Sequence, residues 1–153
     1  MTDIAYQLSI EIDEPFASKV DVAALERAIT ATLIAEEIPA PAEISLQIAD
    51  DATIQALNRD YRGIDAATDV LSFGFEADEF VVPPDGVRHL GEVVIAFPYT
   101  ERSAERQGHP TAHELVILTV HGTLHVLGYD DEEDEAWEVM KARQESILAS
   151  LDR

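Results

Sequence analysis

Apolar and polar positions alternate near the start of the chain. Ile4, Tyr6, Leu8, Ile10 and Ile12 fall on one side of an extended segment, which predicts a strand over residues 4–12. The period then changes. Val22, Leu25, Ile29, Leu33 and Ile34 recur at helical spacing behind Asp21, a residue able to cap a first turn, and Pro39 and Pro41 end the segment. Ile44, Leu46 and Ile48 alternate again as a second strand, after which Asp50 or Asp51 caps a short helix through Ile54 and Leu57. Residues 70–75 read as a third strand behind the turn-rich stretch 63–68. A loop over 76–88, with Pro83, Pro84 and Gly86, leads to a fourth strand over 92–97. Pro98 suits the first turn of a helix that ends near Gly108.

The next helix start carries the most signals. Thr111 and Glu114 stand three apart behind Pro110, the spacing of a capping box, and Gly128 can stop the helix in the left-handed conformation. The run Leu115-Val-Ile-Leu-Thr-Val is β-branched enough to mimic a strand, but cap, length and histidine spacing favour a helix over 111–127. An acidic helix over about 131–151 closes the chain. The order β-α-β-α-β-β-α-α-α predicts a single α+β domain over residues 1–153: a mixed four-stranded sheet with about five helices. The helix over 111–127 is almost wholly apolar, so it is expected to be central and buried.

The chain has 153 residues, 46% of them hydrophobic, enough for one domain with a real core. It has no Cys, so any bound metal must be held by His, Asp or Glu. The start lacks the basic and apolar regions of a signal peptide, and no apolar stretch approaches the roughly 18 residues of a membrane helix. A cytoplasmic address without membrane partners is expected. The net charge of −21, with 10 basic residues facing 31 acidic ones, opposes a generic nucleic-acid binder. A nucleic-acid substrate must therefore be met by a local basic group or by a metal. Such acidity also fits a salty cytoplasm, where the Debye length falls to about 3 Å at 1 M and self-repulsion fades.

His121 and His125 are four residues apart, so a helix stacks them on one face where two imidazoles can share one ion. Gly128 lets the chain turn back and bring Asp131 to the same ion, with Asp130 as the competing ligand. Three protein ligands and an open fourth position form the layout of a catalytic zinc site. An isolated pair of histidines at this spacing is more often a chance feature that merely makes hydrogen bonds. Here two of only five His occupy a buried helix that ends in Gly, which favours the ion. A protease of the H-E-x-x-H type needs Glu after the first His, and that position is Gly122.

The stretch His121-Gly-Thr-Leu-His125-Val-Leu-Gly-Tyr-Asp-Asp131 resembles the H-G-x-L-H-L-x-G-Y-D-H signature of the YbeY-type endoribonucleases. Leu57-Asn-Arg-Asp-Tyr-Arg62 resembles the family's L-N-x-x-Y-R, Thr68-Asp-Val-Leu-Ser-Phe73 its T-D-V-L-S-F, and Leu90-Gly-Glu-Val-Val-Ile95 its L-G-D-I-x-I. The resemblance runs from about Ile44 to Leu148. It implies a mixed α+β fold, one zinc ion, and hydrolysis of single-stranded RNA in ribosomal RNA maturation, at the small-subunit RNA end, and in ribosome quality control. RNA rather than DNA is the implied partner. The family's phosphate-facing arginine falls on Arg62, and its three metal histidines on His121, His125 and position 131. Asp at 131 departs from the pattern: an anionic third ligand makes the site less positive, its bound water less acidic, and shifts preference towards harder ions such as manganese.

Arg62 suits a phosphate because guanidinium forks onto two oxygens; its bland alternative is an ion pair with Asp65 or Asp69. Thr68 and Asp69 are expected to turn the chain before the third strand, and Ser72 to fill its pleat. His89, His109 and His113 have no ligand spacing and are expected at the surface or behind the site. Trp137 and Met140 are expected in the core. Two other readings stay open: a metal-dependent hydrolase of a peptide or small ester, and a non-catalytic, metal-stabilised ribosome assembly factor whose acidic surface meets the basic tails of ribosomal proteins.

Overall fold

The computed structural model describes residues 6–74 and 86–152. Strand β1 (Tyr6–Ile12) lies parallel to β2 (Ala42–Ala49), β2 parallel to β4 (Arg88–Ala96), and β3 (Val70–Gly74) antiparallel to β4, in the order β1-β2-β4-β3. The mixed four-stranded sheet is the one expected, and so are five α-helices: α1 (Val22–Ala35), α2 (Asp51–Arg62), α3 (Phe97–Gln107), α4 (Thr111–Val126) and α5 (Asp134–Leu151). A short 3-10 helix over Glu14–Lys19, behind Asp13, carries no periodic signal and was not expected. Ile4, Phe75 and residues 76–85 of the predicted loop 76–88 lie outside the described residues.

Register aligns the apolar rows. Ile10, Leu46 and Val93 pair in turn across the sheet, as do Ile12, Ile48 and Ile95. That face packs on Leu25, Ile29 and Leu33 of α1 and on Leu115 and Leu118 of α4. Val120 and Leu124, further round α4, pack with Ala28 of α1 and with Met140 and Ile147 of α5. Helix α4 is therefore packed between sheet and helices, as its apolar run predicted. On the opposite face Ile54 of α2 meets Leu71 and Ala96, with Leu57, Phe73 and Tyr99 packed around them.

Several local expectations need correction. Val22 and Ile34, placed on the buried stripe of α1, are exposed, so that stripe is narrower than the periodicity suggested. Strand β4 begins at Arg88 rather than at residue 92, because Arg88 and His89 still pair with Ala42 and Glu43 of β2; Phe97 belongs to α3. The capping box at Thr111 does not form. The carbonyl of Pro110 takes the amides of His113 and Glu114, so Thr111 is already helical and its hydroxyl caps nothing. Glu114, freed from that role, binds Nε2 of His109 at 2.6 Å. Asp21 and Asp50 do cap, accepting the amides of Ala24 and Thr53. The bond from Thr53 holds the Asp50 carboxyl below its usual pKa. Among the described residues no helix is long and apolar enough to cross a membrane.

Candidate metal centre

Helix α4 reaches the sheet through a residue without a side chain. A Cβ on Gly122 would lie 2.6 Å from Cγ1 of Val93 and 3.2 Å from Oγ of Ser72. The bare backbone lets helix and sheet close up, and Ser72 donates to the Gly122 carbonyl at 2.9 Å. The position after the first histidine thus faces the sheet. Ser72 does more than fill its pleat: it ties β3 to the turn of α4 that carries His121.

His121 and His125 project side by side from α4, their ring centroids 4.7 Å apart. Their Nε2 atoms are 3.1 Å apart, and Oδ2 of Asp131 lies 3.2 Å from that of His125 and 3.7 Å from that of His121. Gly128, at φ 106°, turns the chain after α4, and Tyr129 N bonds back to Leu124 O, which brings Asp131 round. Helix α5 starts at Asp134, not at residue 131, so Asp131 sits in the turn where its carboxylate reaches the imidazoles. Asp130, the competitor, is used locally: its Oδ1 accepts the amide of Glu132. Among the described residues His121, His125 and Asp131 are the only such trio whose ligand atoms converge.

The outer ring nitrogens define the tautomers. Nδ1 of His125 donates to the carbonyl of Tyr129 at 2.9 Å, and Nδ1 of His121 donates to Oε1 of Gln144 at 2.8 Å. Each Nε2 is thereby left as a lone pair. Burial, helped by the neighbouring His125, pushes the His121 pKa down against the Gln144 bond and the charges of Asp131 and Asp69, which favours the neutral ring. Two lone pairs and a carboxylate oxygen converge within 3.7 Å, an arrangement that repels itself unless a cation sits among them. A tetrahedral ion with bonds of about 2.0–2.1 Å places its donors about 3.3 Å apart, so the residues present fit such an ion.

Other residues surround this centre. Gln144, not singled out in the sequence, shares a face of α5 with Met140 and Ile147; a polar residue in that apolar stripe was the available signal. The partner of His125 is a main-chain carbonyl, which no residue type encodes. Tyr129 is held in turn by its hydroxyl, 2.7 Å from Glu36, whose other oxygen lies 2.9 Å from Nε of Arg143. Trp137 is half-buried, packed on the α4–α5 core with its ring 6.2 Å from that of His121, and Met140 is fully buried. Asp69 bonds the amide of Val70 and the hydroxyl of Thr68, the turn role expected of it, while its charge also reaches His121. His89 pairs with Glu43, and His109 with Glu114 beside the ring of His113, all apart from the trio.

Arg62 stands exposed in the last turn of α2, outside bonding contact with the trio. Neither expected acidic partner holds it: Asp65 accepts from Gln55, and Asp69 is engaged in its own turn. Among the described residues its guanidinium makes no ion pair.

The model of the family described as endoribonuclease YbeY matches residues 8–152. A protein named endoribonuclease YbeY from Roseiflexus sp. (strain RS-1) is 45% identical over 155 residues, covering 99% of this chain and 96% of that one. Its namesake from Chloroflexus aggregans is 43% identical over 97% of each chain. The solution structure of TM1509 from Thermotoga maritima is similar in fold, with a TM-score of 0.63 at 24% identity over 95% of this chain and 89% of that one. The chain belongs to the endoribonuclease YbeY family.

Proposed function

We propose that this chain is a metal-dependent endoribonuclease that hydrolyses single-stranded RNA, acting in maturation of the small-subunit ribosomal RNA end and in ribosome quality control. The observation that carries the reading is the convergence of Nε2 of His121, Nε2 of His125 and Oδ2 of Asp131, with both imidazole protons turned outward. Family membership supplies the RNA. One divalent ion, zinc for preference, would be held by His121, His125 and Asp131. When bound it supplies a water of lowered pKa and a Lewis acid for a phosphoryl oxygen. The chain's own residues do the rest. Gln144 and the Tyr129 carbonyl keep the two rings in the ligating tautomer and orientation. Arg62, which makes no ion pair among the described residues, is placed to fork onto a phosphate of the strand. The anionic Asp131 leaves one positive charge fewer at the site than a third histidine would.

The test is metal content together with cleavage of single-stranded and structured RNA, on the wild type and on His121→Ala. One ion per chain and cutting of the single strand are expected in the wild type, with both lost in the variant. Equal cleavage by His121→Ala would refute the proposal. Casein as an alternative substrate separates it from a peptide hydrolase.

A further inference from the structure

Four residues at the end of α2 break the pattern of an acidic, well-solvated surface. Tyr61 is 71% exposed and Ile64 53% exposed, two of the five large hydrophobic side chains that stand out among the described residues, and they flank Arg62. The segment closes on Gly63 in the left-handed conformation, which ends α2 and leaves Tyr61 and Arg62 at its open tip. The Tyr61 ring is not loose. It meets Phe73 of β3 at 5.4 Å between centroids and 65°, an edge-to-face pair that holds the ring while most of it stays exposed.

Phe73 follows Ser72, whose hydroxyl is bonded to Gly122 beside His121. Gly74, next along, comes so close to α4 that a Cβ there would lie 3.1 Å from the Val126 carbonyl, beside His125. Edge strand β3 therefore turns Ser72 to α4 on one face and Phe73, with the braced tyrosine, to α2 on the other, so that an RNA strand held at Tyr61 reaches the helix of His121 and His125 by passing round this sheet edge. A planar apolar surface next to a guanidinium that is unpaired among the described residues, on a chain of net charge −21, suits one ligand chemistry: a nucleobase with its attached phosphate.

We infer that Tyr61 is a stacking platform for one unpaired base of the RNA strand, with Arg62 taking the adjoining phosphate, so that β3 guides the strand towards His121 and His125. The inference rests on the reading of this chain as a nuclease of single-stranded RNA. It explains how an acidic protein holds a polyanion: part of the affinity comes from stacking, which is indifferent to net charge. It also supplies a preference for single strands, since a base inside a duplex has no free face to offer.

The experiment measures affinity for a short unstructured RNA by fluorescence anisotropy, with cleavage scored separately. Tyr61→Ala is expected to weaken binding about 5- to 150-fold, the range of one lost base–aromatic stack. Tyr61→Trp should restore it and Tyr61→Leu should not, which separates stacking from mere apolar cover. Removing bases one at a time should reveal one position whose loss weakens the wild type but not Tyr61→Ala. Unchanged affinity in Tyr61→Ala, or equal rescue by Leu and Trp, would overturn the platform. RNA bound through Tyr61 but never cut would overturn the nuclease reading and keep the platform. RNA cut by a Tyr61→Ala protein of unchanged affinity would do the reverse.

Discussion

Gln144 shows what a single residue contributes by acting on another side chain. Its Oε1 takes the outer proton of His121, which fixes both the rotation of that ring and the nitrogen that carries the lone pair. Replaced by Ala, the imidazole would be free to rotate or to move its proton to Nε2, and either change removes one ligand. We expect Gln144→Ala to weaken zinc binding about 10- to 100-fold with the fold intact, measured by competition against a chromogenic chelator. Unchanged affinity would mean that packing alone orients the ring. The two histidines and Asp131 were legible because spacing on a helix and a glycine stop are sequence patterns. Choosing Asp131 over Asp130 was not legible from spacing, because it depends on which carboxylate the local turn consumes, and that is Asp130. The brace on His125 was hidden altogether, being a backbone carbonyl held by a tyrosine anchored to Glu36, 93 residues away in sequence.

Helix α4 carries the most sequence signals, yet it starts differently from the sequence expectation. Its apolar run predicted its burial, since a helix with a wide apolar face must be covered by more than one neighbour. The capping box failed because Pro110 offers a carbonyl and a fixed φ, which start the helix before Thr111 can act as cap. Strand and helix periods survive in sequence because each buried face repeats. A six-residue 3-10 helix and the early start of β4 leave no such repeat. Gly122 is where α4 and the sheet depend on each other. A methyl group there would press on Val93, itself buried in the core, and on the Ser72 hydroxyl. Gly122→Ala is therefore expected to destabilise the fold by about 1–3 kcal/mol, the usual cost of overpacking, although Ala is the better helix former. Urea unfolding checks the sign. A stabilised variant would mean that α4 stands further from β4 than this geometry gives.

Across the whole molecule the charge of −21 and the proposed RNA substrate pull in opposite directions, and salt dependence shows how they are reconciled. A protein that binds a single strand through Z phosphate contacts loses affinity with a log–log salt slope of about −0.7Z. The last turn of α2 offers two cations, Arg62 with no partner among the described residues and Arg59 in an exposed pair with Asp60 that contributes little, which gives a slope of about −1.4 at most. Repulsion between the acidic surface and the strand acts the other way. At low ionic strength it reaches far, and added salt shortens it to about 10 Å at 0.1 M, which assists binding. Anisotropy titrations with saturating zinc and varied potassium chloride should therefore give a slope between about −1.4 and zero, shallow for a nucleic-acid-binding protein. A slope steeper than about −3 would require four or more phosphate contacts, and a basic surface that α2 does not supply. The sequence announced the total charge but not its arrangement. Only folding shows that, among the described residues, no acid pairs with Arg62 beside an exposed tyrosine, whose ring is braced by the strand that lies against the helix of His121 and His125.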